Sequence, residues 1–253
     1  MKKCFYALAV LAAVLLATGA YATTVVSFTD TYVTWPGYSS SISKDVNGIP
    51  DLLGGSFTFD NHTLVGISLE YTVSTTSGWS SLKPGDWFFD INNDNVWDYV
   101  LHSSNSRSAG SWMAYEVAIP LTDGNPYNNN NYWGTDYIFS SGSGTRQGQP
   151  VEARISGSDS KLGWVDYSGF TKPVWNSATH SYSIETAYWD LSGIEKPIVF
   201  DAEGGYFGYG FTMTCANDVI YGHGPLPAPE PGTLLLLLGG LPAVAAYRRM
   251  RAA

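Results

Sequence analysis

The chain has 253 residues, of which 44% are hydrophobic, 15% are aromatic and only 14% are charged. Its formal net charge of −9 argues against nucleic-acid binding, because phosphates require a basic surface. Of the two cysteines, Cys4 lies in an apolar N-terminal run, so Cys215 is alone in the rest of the chain and no disulfide is expected there.

The N-terminus has the three-part layout of a secretory signal peptide. A positively charged start is followed by an apolar run, and Ala20 and Ala22 supply the small residues that precede a cleavage site. We therefore predict a signal peptide over residues 1–22, with Thr23 as the first residue of the exported protein. The alternative is an uncleaved membrane anchor.

Residues 23–222 are predicted to form one all-β domain. Runs rich in β-branched and aromatic residues alternate with turn residues, and charged helix formers are scarce. Ten to twelve short strands at this spacing predict a β-sandwich of jelly-roll type. A short turn near residues 191–195 is the one expected helical feature, and the sequence repeat that a propeller requires is missing.

The predicted strands begin with residues 23–35 and a hairpin whose turn is Asp60 and Asn61. A strand then lies on each side of an Asp- and Asn-rich loop. The next strand alternates cleanly, with Trp112 on one face and Met113 on the other. The remaining predicted strands are residues 151–155, 180–191, 196–204 and 208–222.

The loop from residue 90 to residue 98 carries oxygen-bearing groups at alternate positions. Asp90, Asn92, Asp94 and Asp98 occupy positions 1, 3, 5 and 9, with the carbonyl of Val96 at position 7. Ca²⁺ binds roughly six to eight oxygens, and alternate side chains on a curled loop can converge on one ion. Asn95, at position 6, is the best substitute for glycine in a left-handed turn. This pattern predicts a structural calcium site.

The loop is similar to the calcium loops of FG-GAP repeats, whose pattern is D-x-N-x-D-G-x-x-D. It differs in having Asn95 in place of glycine and in occurring once, so the resemblance implies metal chemistry without the propeller fold. Leu101 stands where an EF-hand requires glutamate, which excludes that motif. The alternative is a polar hairpin whose side chains cap their own turn. A second, weaker metal candidate, which an Asn-Gly turn explains equally well, consists of Asp45, Asn47 and Asp51.

The sequence contains no zinc-protease, nucleophile-elbow or phosphate-loop motif, so no catalytic residue is assigned. Two carboxylate pairs are candidates for a glycosidase site because such enzymes use two acids. Neither matches the E-x-D-x-x-E pattern of jelly-roll glucanases, and both are interpreted as solvated or turn-forming. The pairs are Glu185 with Asp190 and Asp201 with Glu203.

The nine tryptophans all follow the predicted signal peptide and suggest carbohydrate binding without catalysis. Flat aromatic faces can stack on sugar rings, which makes extracellular polysaccharide a candidate partner. The alternative is that most of these side chains are core, because tryptophan is highly buried on average. The candidates for stacking are Trp133, Trp164, Trp175 and Trp189.

The C-terminus combines a proline-rich linker, a short apolar segment and a basic end. A helix over the apolar residues 233–247 would span roughly 22 Å, which is short of the ~30 Å hydrocarbon core. Arginines beside such a segment hold that end on the cytoplasmic side. The linker, residues 223–232, contains Pro229, Glu230 and Pro231, and the basic tail, residues 248–253, contains Arg248, Arg249 and Arg251.

This tail resembles the PEP-CTERM sorting signal of exported proteins in Gram-negative bacteria that make extracellular polysaccharide. The resemblance implies that exosortase, a transpeptidase-like membrane protease, recognises and removes the tail, so that the helix spans the membrane only before processing. The alternative is an ordinary C-terminal anchor. Without both ends, the chain retains 8 basic and 21 acidic side chains, a net charge near −13. We expect a non-enzymatic protein of the cell surface or extracellular matrix, with a polysaccharide-binding module as the first alternative and a glycoside-active enzyme as the second.

Overall fold

The computed structural model describes residues 23–31, 50–76, 79, 84–103, 112–120, 152–200, 205–213 and 218–226. Strands make up 64% of these residues and none of them is α-helical, which confirms the all-β prediction. Thr24–Pro227 form one compact unit, and of the second unit, made of the two chain ends, the structure describes Thr23 alone.

The described residues form twelve strands, within the predicted range. Most strands alternate buried and exposed side chains, as expected for a sheet with one face on a core. Their bounds are β1 (Thr23–Thr29), β2 (Asp51–Asp60), β3 (Thr63–Thr72), β4 (Pro84–Asp90), β5 (Val96–Ser103), β6 (Trp112–Pro120), β7 (Ser160–Tyr167), β8 (Trp175–Asn176), β9 (Ser181–Tyr182), β10 (Glu185–Asp190), β11 (Tyr206–Met213) and β12 (Val219–Pro225).

Ten strands form one sheet in the order β1-β2-β3-β10-β7-β6-β5-β4-β11-β12, and β8 pairs with β9 in a separate hairpin. From β2 to β12, each pair of neighbours in this order is antiparallel. β4 to β7 pair in chain order, as in a meander. In contrast, β10 pairs with β3 and β7, and β11 pairs with β4, through contacts between distant parts of the sequence.

β7 joins the two halves of this sheet. Its first residues pair with β6, whereas Asp166 and Tyr167 at its end pair with β10. Within the part that pairs with β6, Gly163 has a φ of 146° beside a register shift in the β6–β7 pairing. A Cβ atom on Gly163 would lie 2.7 Å from the backbone nitrogen of Glu195. Glycine is therefore required at this irregularity in the β6–β7 pairing.

The sheet folds over on itself around an aromatic core. Phe57 on β2 contacts Trp87 on β4 and Phe207 on β11, with ring centroids 5.8 and 5.3 Å apart. Trp189 on β10 contacts Trp87 and Phe211 at 5.7 and 5.9 Å. Because β2 and β10 belong to one half of the sheet and β4 and β11 to the other, these contacts cross the interior. The fold is therefore sandwich-like or barrel-like.

The last strand approaches the second one. The backbone nitrogen of Leu52 on β2 donates to Oδ2 of Asp218, just before β12, over 2.6 Å, and both residues are buried. β12 continues through Pro225, and Leu226 is buried in the core behind it. The sheet thus extends beyond residue 222, where the predicted linker begins.

Several predicted strands are wrong in position. Residues 152–155 form no strand, whereas β7 is absent from the sequence-based prediction. The predicted single strand over residues 180–191 is divided into β9 and β10, and that over residues 208–222 into β11 and β12. Of the predicted strand over residues 196–204, the described part contributes only a bridge from Val199 to Thr63.

Two predicted turns are confirmed. Asn61 follows β2 with a φ of 57°, in the left-handed region that asparagine tolerates better than most residues. After β10, Ile194 donates its backbone N–H to the carbonyl of Leu191 over 3.2 Å and closes the short turn.

The signal peptide with Ala20 and Ala22, the sorting tail and Cys215 lie outside the described residues. Asp45 and Asn47 of the weaker metal candidate lie outside them as well, and only Asp51 of that group is described. Within the described part of the chain, no helix has the length and apolar character needed to cross a bilayer.

Candidate functional site

The predicted calcium loop connects β4 to β5 in the strand–loop–strand arrangement expected from the sequence. Asp90 is the last residue of β4 and is 1% exposed. Its Oδ1 accepts the backbone N–H of Asp94 at 3.2 Å, and its Oδ2 accepts that of Asn95 at 3.1 Å. One buried carboxylate therefore curls the loop back onto the end of β4.

The other oxygen-bearing side chains of the loop also bind backbone amides. Oδ1 of Asp94 accepts the N–H of Val96 at 3.0 Å, and Oδ2 of Asp98 accepts the N–H of Ile91 at 2.9 Å. Asn92 contacts Asp94 twice, through its side-chain nitrogen at 3.1 Å and its Oδ1 at 3.0 Å. The side chains predicted to bind calcium thus hold the loop together, and the loop's own amides occupy at least one oxygen of each carboxylate.

Electrostatic repulsion acts on the carboxylate at the end of the loop. Burial raises the pKa of Asp98 to about 6, the Ile91 hydrogen bond acts against this, and neighbouring carboxylates add to the rise. Negative charge is therefore costly here, and a bound proton or cation would relieve the repulsion.

The backbone of the loop follows the sequence-based expectation. Asn95 has a φ of 69°, which confirms that it stands in for glycine in a left-handed turn, and Asn93 has a φ of 57°. Val96 is already the first residue of β5, in register with Pro120. Among the residues that the structure describes, no three His, Cys, Asp or Glu side chains converge as a metal-binding group.

The tryptophans proposed for sugar stacking occupy different environments. Trp189 is 0% exposed in the core, so its interpretation as a stacking residue is wrong. Trp164 on β7 is 61% exposed and Trp175 on β8 is 50% exposed. Trp175 contacts the ring of Tyr182 across the small hairpin, with centroids 5.0 Å apart. Trp133 lies outside the described residues.

The one carboxylate pair that the structure describes, Glu185 with Asp190, is not arranged as a glycosidase site. Glu185 and Asp190 stand at opposite ends of β10 and, being five residues apart, on opposite faces. Oε1 of Glu185 accepts the hydroxyl of Ser183 at 2.6 Å, and Oδ1 of Asp190 accepts the N–H of Ser192 at 2.9 Å. Both therefore act locally, as interpreted from the sequence, whereas Asp201 and Glu203 lie outside the described residues.

The structure contains a buried polar group that sequence reasoning missed. Asp86 and His102 are 1% and 7% exposed, and Oδ2 of Asp86 accepts Nδ1 of His102 at 2.8 Å. The same oxygen accepts the backbone N–H of Ala153 at 2.8 Å. The register of the β4–β5 hairpin places Trp87 opposite Leu101, and hence Asp86 opposite His102. Extending the predicted hairpin by its register would have found this pair.

This group holds a segment over the outer side of the sheet. Phe88, Trp97 and Val100, on the side of β4 and β5 that faces away from the main core, form a second buried cluster with Ala153. Residues 152–155 are therefore not a strand, because Asp86 and this cluster fix them against the sheet.

Two features of the structure offer chemistry at the surface: the acidic loop between β4 and β5, and the exposed aromatic side chains on β7, β8 and β10. The Asp86–His102 group, in contrast, is enclosed and fixes the segment beside it. Comparison with protein-family models, with curated proteins and with solved structures finds no match to this chain.

Proposed function

We propose that this protein is exported and acts without catalysis at the cell surface or in the extracellular matrix, after an exosortase-type protease has removed its tail. The observation that carries this proposal is the order of three elements at the C-terminus. The Pro-Glu-Pro motif at residues 229–231 precedes the apolar segment at 233–247, and the arginines within 248–251 follow it. A signal-peptide pattern over residues 1–22 supports the same route at the other end of the chain.

The described fold is compatible with an extracellular role. Trp87, Trp112 and Trp189 form edge-to-face contacts at 5.7 and 5.5 Å in the middle of the core. Aromatic packing of this kind stabilises a domain without disulfides. We propose a sandwich of jelly-roll type for this domain, supported by packing across the interior. The pairing of β4 to β7 in chain order is closer to a meander and supports the jelly-roll arrangement less.

The acidic loop is proposed to hold a structural Ca²⁺. Asp90, Asp94 and Asp98 lie in one short loop, where the charges of Asp94 and Asp90 add to the rise in the pKa of Asp98, and a divalent cation would offset this repulsion. Asn92 and the carbonyl of Val96 would complete the set of oxygen ligands. Binding would pin the loop at the end of β4 and stabilise the β4–β5 hairpin.

The intact mass of the protein from native cells and medium tests the main proposal. A mass that ends between residues 229 and 232 is the expected result, because it places the cut at the sorting motif. A mass that runs through residue 253, recovered with membranes, would overturn processing and favour the tethered alternative. A fraction that begins at residue 23 would identify the signal-peptide cut in the same measurement.

A second candidate function is carbohydrate binding, favoured by the exposure of Trp164 and Trp175. These two large side chains are exposed and are not part of the buried core, so their ring faces are available to a ligand. Glycan arrays that include the host's own polysaccharide test this function, and a blank array would overturn it. The glycoside-active alternative has less support because Glu185 and Asp190 face opposite ways. Hydrolysis that survives substitution of Glu185 and Glu203 by glutamine would remove these residues as its catalytic acids, and an absence of hydrolysis in the unchanged chain would remove that alternative.

A further inference from the structure

Four side chains share the outer face of the sheet where β7 and β10 pair. Val165 and Tyr167 on β7 and Trp189 on β10 are buried, so the residues between them point the other way. This outer face, called the Trp164 face below, consists of Trp164 and Asp166 on β7 and Tyr188 and Asp190 on β10.

The two aromatic side chains lie at opposite ends of the Trp164 face. Ser168, four residues after Trp164, donates its N–H to the carbonyl of Tyr188 at 2.9 Å, which places Tyr188 beside Ser168. Four residues of strand cover about 13 Å. Asp166 and Asp190 lie between the two rings and are directly paired across the strands. The face therefore has an aromatic group at each end and two carboxylates in the middle.

The side chain of Tyr188 reaches over β3 towards Gly66, which pairs with Asp190 and has no side chain. A Cβ atom on Gly66 of β3 would come within 2.5 Å of the Tyr188 hydroxyl oxygen. The phenol therefore occupies the space above Gly66 while the side chain remains 41% exposed. Burial and the nearby Asp190 raise the pKa of Tyr188, so its hydroxyl stays protonated and able to donate.

Among the residues that the structure describes, no Lys, Arg or His forms an ion pair with the carboxylates of the Trp164 face. The ion pair between His102 and Asp86 is the one found among the described residues, and it lies elsewhere. Within the same described ranges, the Asp166 side chain has neither a hydrogen-bond nor an ion-pair partner. Its oxygens can therefore accept hydrogen bonds from a ligand.

The chemistry of the Trp164 face selects one class of partner. Exposed carboxylates repel polyanions, including nucleic acids and uronate-rich polysaccharides, and a chain with a net charge of −9 adds to this. Protein interfaces are depleted in Asp at their centre, whereas two Asp residues form the centre here. A neutral sugar chain offers hydroxyl groups to carboxylates and apolar ring faces to Trp and Tyr.

We propose that the Trp164 face binds an uncharged polysaccharide, which stacks on Trp164 and Tyr188 and donates hydroxyl hydrogen bonds to Asp166 and Asp190. This inference rests on the carbohydrate-binding function proposed above and assigns it to one face and one sugar class. The backbone positions of Trp164 and Tyr188 are about 13 Å apart, so we expect a ligand that contacts both side chains to be longer than a single sugar. Trp175 on the β8–β9 hairpin is not part of this face.

Native gels that contain a polysaccharide test the assignment with the full chain and its variants. The neutral probes are dextran, galactomannan and mixed-linkage β-glucan, with alginate as the anionic probe and chitosan as the cationic probe. We expect at least one neutral probe to retard the unchanged chain. The dissociation constant should be about tenfold higher for Trp164→Ala, because one stacking contact is lost. Tyr188→Ala should weaken binding similarly. The control is Tyr206→Ala, which removes a ring that is 59% exposed on β11, away from this face, and it should bind as the unchanged chain does.

Several outcomes would overturn the assignment. Equal weakening in Tyr206→Ala and Trp164→Ala would move the site away from this face, and so would unchanged binding in Trp164→Ala. Retardation by chitosan alone, lost on adding salt, would show an electrostatic cation site instead. Near-ultraviolet circular dichroism and thermal unfolding of each variant separate lost binding from lost folding.

The inference and the functions proposed above can fail separately. Neutral glycan binding that does not depend on Trp164 would keep the carbohydrate-binding function and remove this face as its site. Binding to no neutral polysaccharide would remove both, while a mass ending near residue 230 would still support export and tail processing. A full-length membrane form that binds through Trp164 would retain the inference and overturn the processing step.

Discussion

Asp166 and Asp190 lie directly opposite each other on neighbouring antiparallel strands, with both side chains on the exposed face of the sheet. Like charges in this position destabilise a sheet by roughly 0.2–1 kcal/mol. We therefore expect Asp166→Asn to raise the free energy of unfolding by about this amount. Urea denaturation at low salt measures the gain, which should shrink as salt screens the pair.

The control for this substitution is Asp60→Asn. Asp60 is also exposed at a strand end, but its partner in the register is Thr63 instead of an acid. Stability should change little in this variant. Equal gains in both variants would point to the overall acidity of the chain, and a loss in Asp166→Asn would contradict the repulsion. A variant that is more stable but binds neutral polysaccharide more weakly would show that the pair is kept for binding.

Asp86 is expected to be the most costly acidic residue to remove among those described. Asp86→Ala leaves Nδ1 of His102 and the N–H of Ala153 without the oxygen that both contact. We expect a loss of about 3 kcal/mol in the free energy of unfolding, with a smaller loss for Asp86→Asn, which keeps one acceptor. Hydrogen exchange at the Ala153 amide should accelerate more than exchange within β4. Unchanged exchange at Ala153 would contradict the role of Asp86 in holding residues 152–155.

The sequence predicted local elements better than long-range pairing. The β2–β3 hairpin and the β4–β5 hairpin are fixed by turn residues that lie inside them, such as Asn61 and Asn95, so their position follows from nearby residues. The place of β10 between β3 and β7 depends on Trp189 packing against strands that are distant in the chain. No local pattern records such contacts.

Residues 151–155 show why alternation alone misled the prediction. The alternating side chains of this run are typical of a strand, yet Ala153 is fixed by Asp86 on the outer side of the sheet, away from any strand partner. The sequence-based prediction missed β7 for the opposite reason. Gly163 interrupts the alternating pattern of this strand, although glycine allows the register shift between β6 and β7. Extended segments and strands have the same local signature, and only the tertiary partner distinguishes them.

The Gly163 bend can be tested by adding one methyl group. Gly163→Ala forces a non-glycine residue to a φ of 146° and places its Cβ against the Glu195 backbone. We expect a loss of more than about 2 kcal/mol in the free energy of unfolding. Gly157→Ala is the matched control, since its Cβ would meet nothing within 4 Å, and it should stay within about 1 kcal/mol. Equal effects in urea denaturation would contradict the requirement for glycine in β7.

Tyr71 gives a prediction at alkaline pH. Its hydroxyl donates to the Thr171 carbonyl at 2.8 Å and accepts the Thr171 N–H at 2.7 Å. Burial raises the pKa of Tyr71 to about 12. The hydrogen bond from the Thr171 N–H acts against this rise, and the negative charge of Glu185 adds to it. The folded chain therefore keeps a proton that the unfolded chain, with a tyrosine pKa near 10, releases. Stability should fall as pH rises from about 10 to about 12.

Tyr71→Phe tests this linkage. The variant should lose about 1 kcal/mol at neutral pH, because one hydroxyl no longer bridges β3 to the segment before β8. Its stability should then fall less steeply between pH 10 and pH 12 than that of the unchanged chain, as followed by thermal unfolding. Tyr206→Phe, which changes a 59% exposed tyrosine, is the control and should keep the original slope. Identical slopes in all three proteins would contradict a contribution from Tyr71.

The candidate metal site was recognisable from the sequence because its residues lie within nine positions of one another. The Trp164 face was only half recognisable. The exposed position of Trp164 could be guessed, but Asp190 and Tyr188 join it through the pairing of β7 with β10, and Trp189, next to them in sequence, belongs to the core. Alternation assigns neighbouring residues to opposite faces, and the buried face cannot be identified until the strand has its partners.

Calcium titration decides between the two interpretations of the acidic loop. If Asp90, Asp94 and Asp98 bind Ca²⁺, adding the ion to metal-free full chain should give one site by calorimetry and raise the melting temperature. The stabilisation should reach about 2.7 kcal/mol when free calcium is a hundredfold above the dissociation constant.

Asp94→Ala should abolish binding, while its own metal-free stability should change little, because Asp94 is exposed and Asp90 still accepts two backbone amides. Asp60→Ala, an exposed acid outside the loop, should bind as before. A titration that gives no heat and no change in melting temperature would contradict the calcium site. The carboxylates of the loop would then only accept hydrogen bonds from its backbone amides, as caps of a metal-free turn.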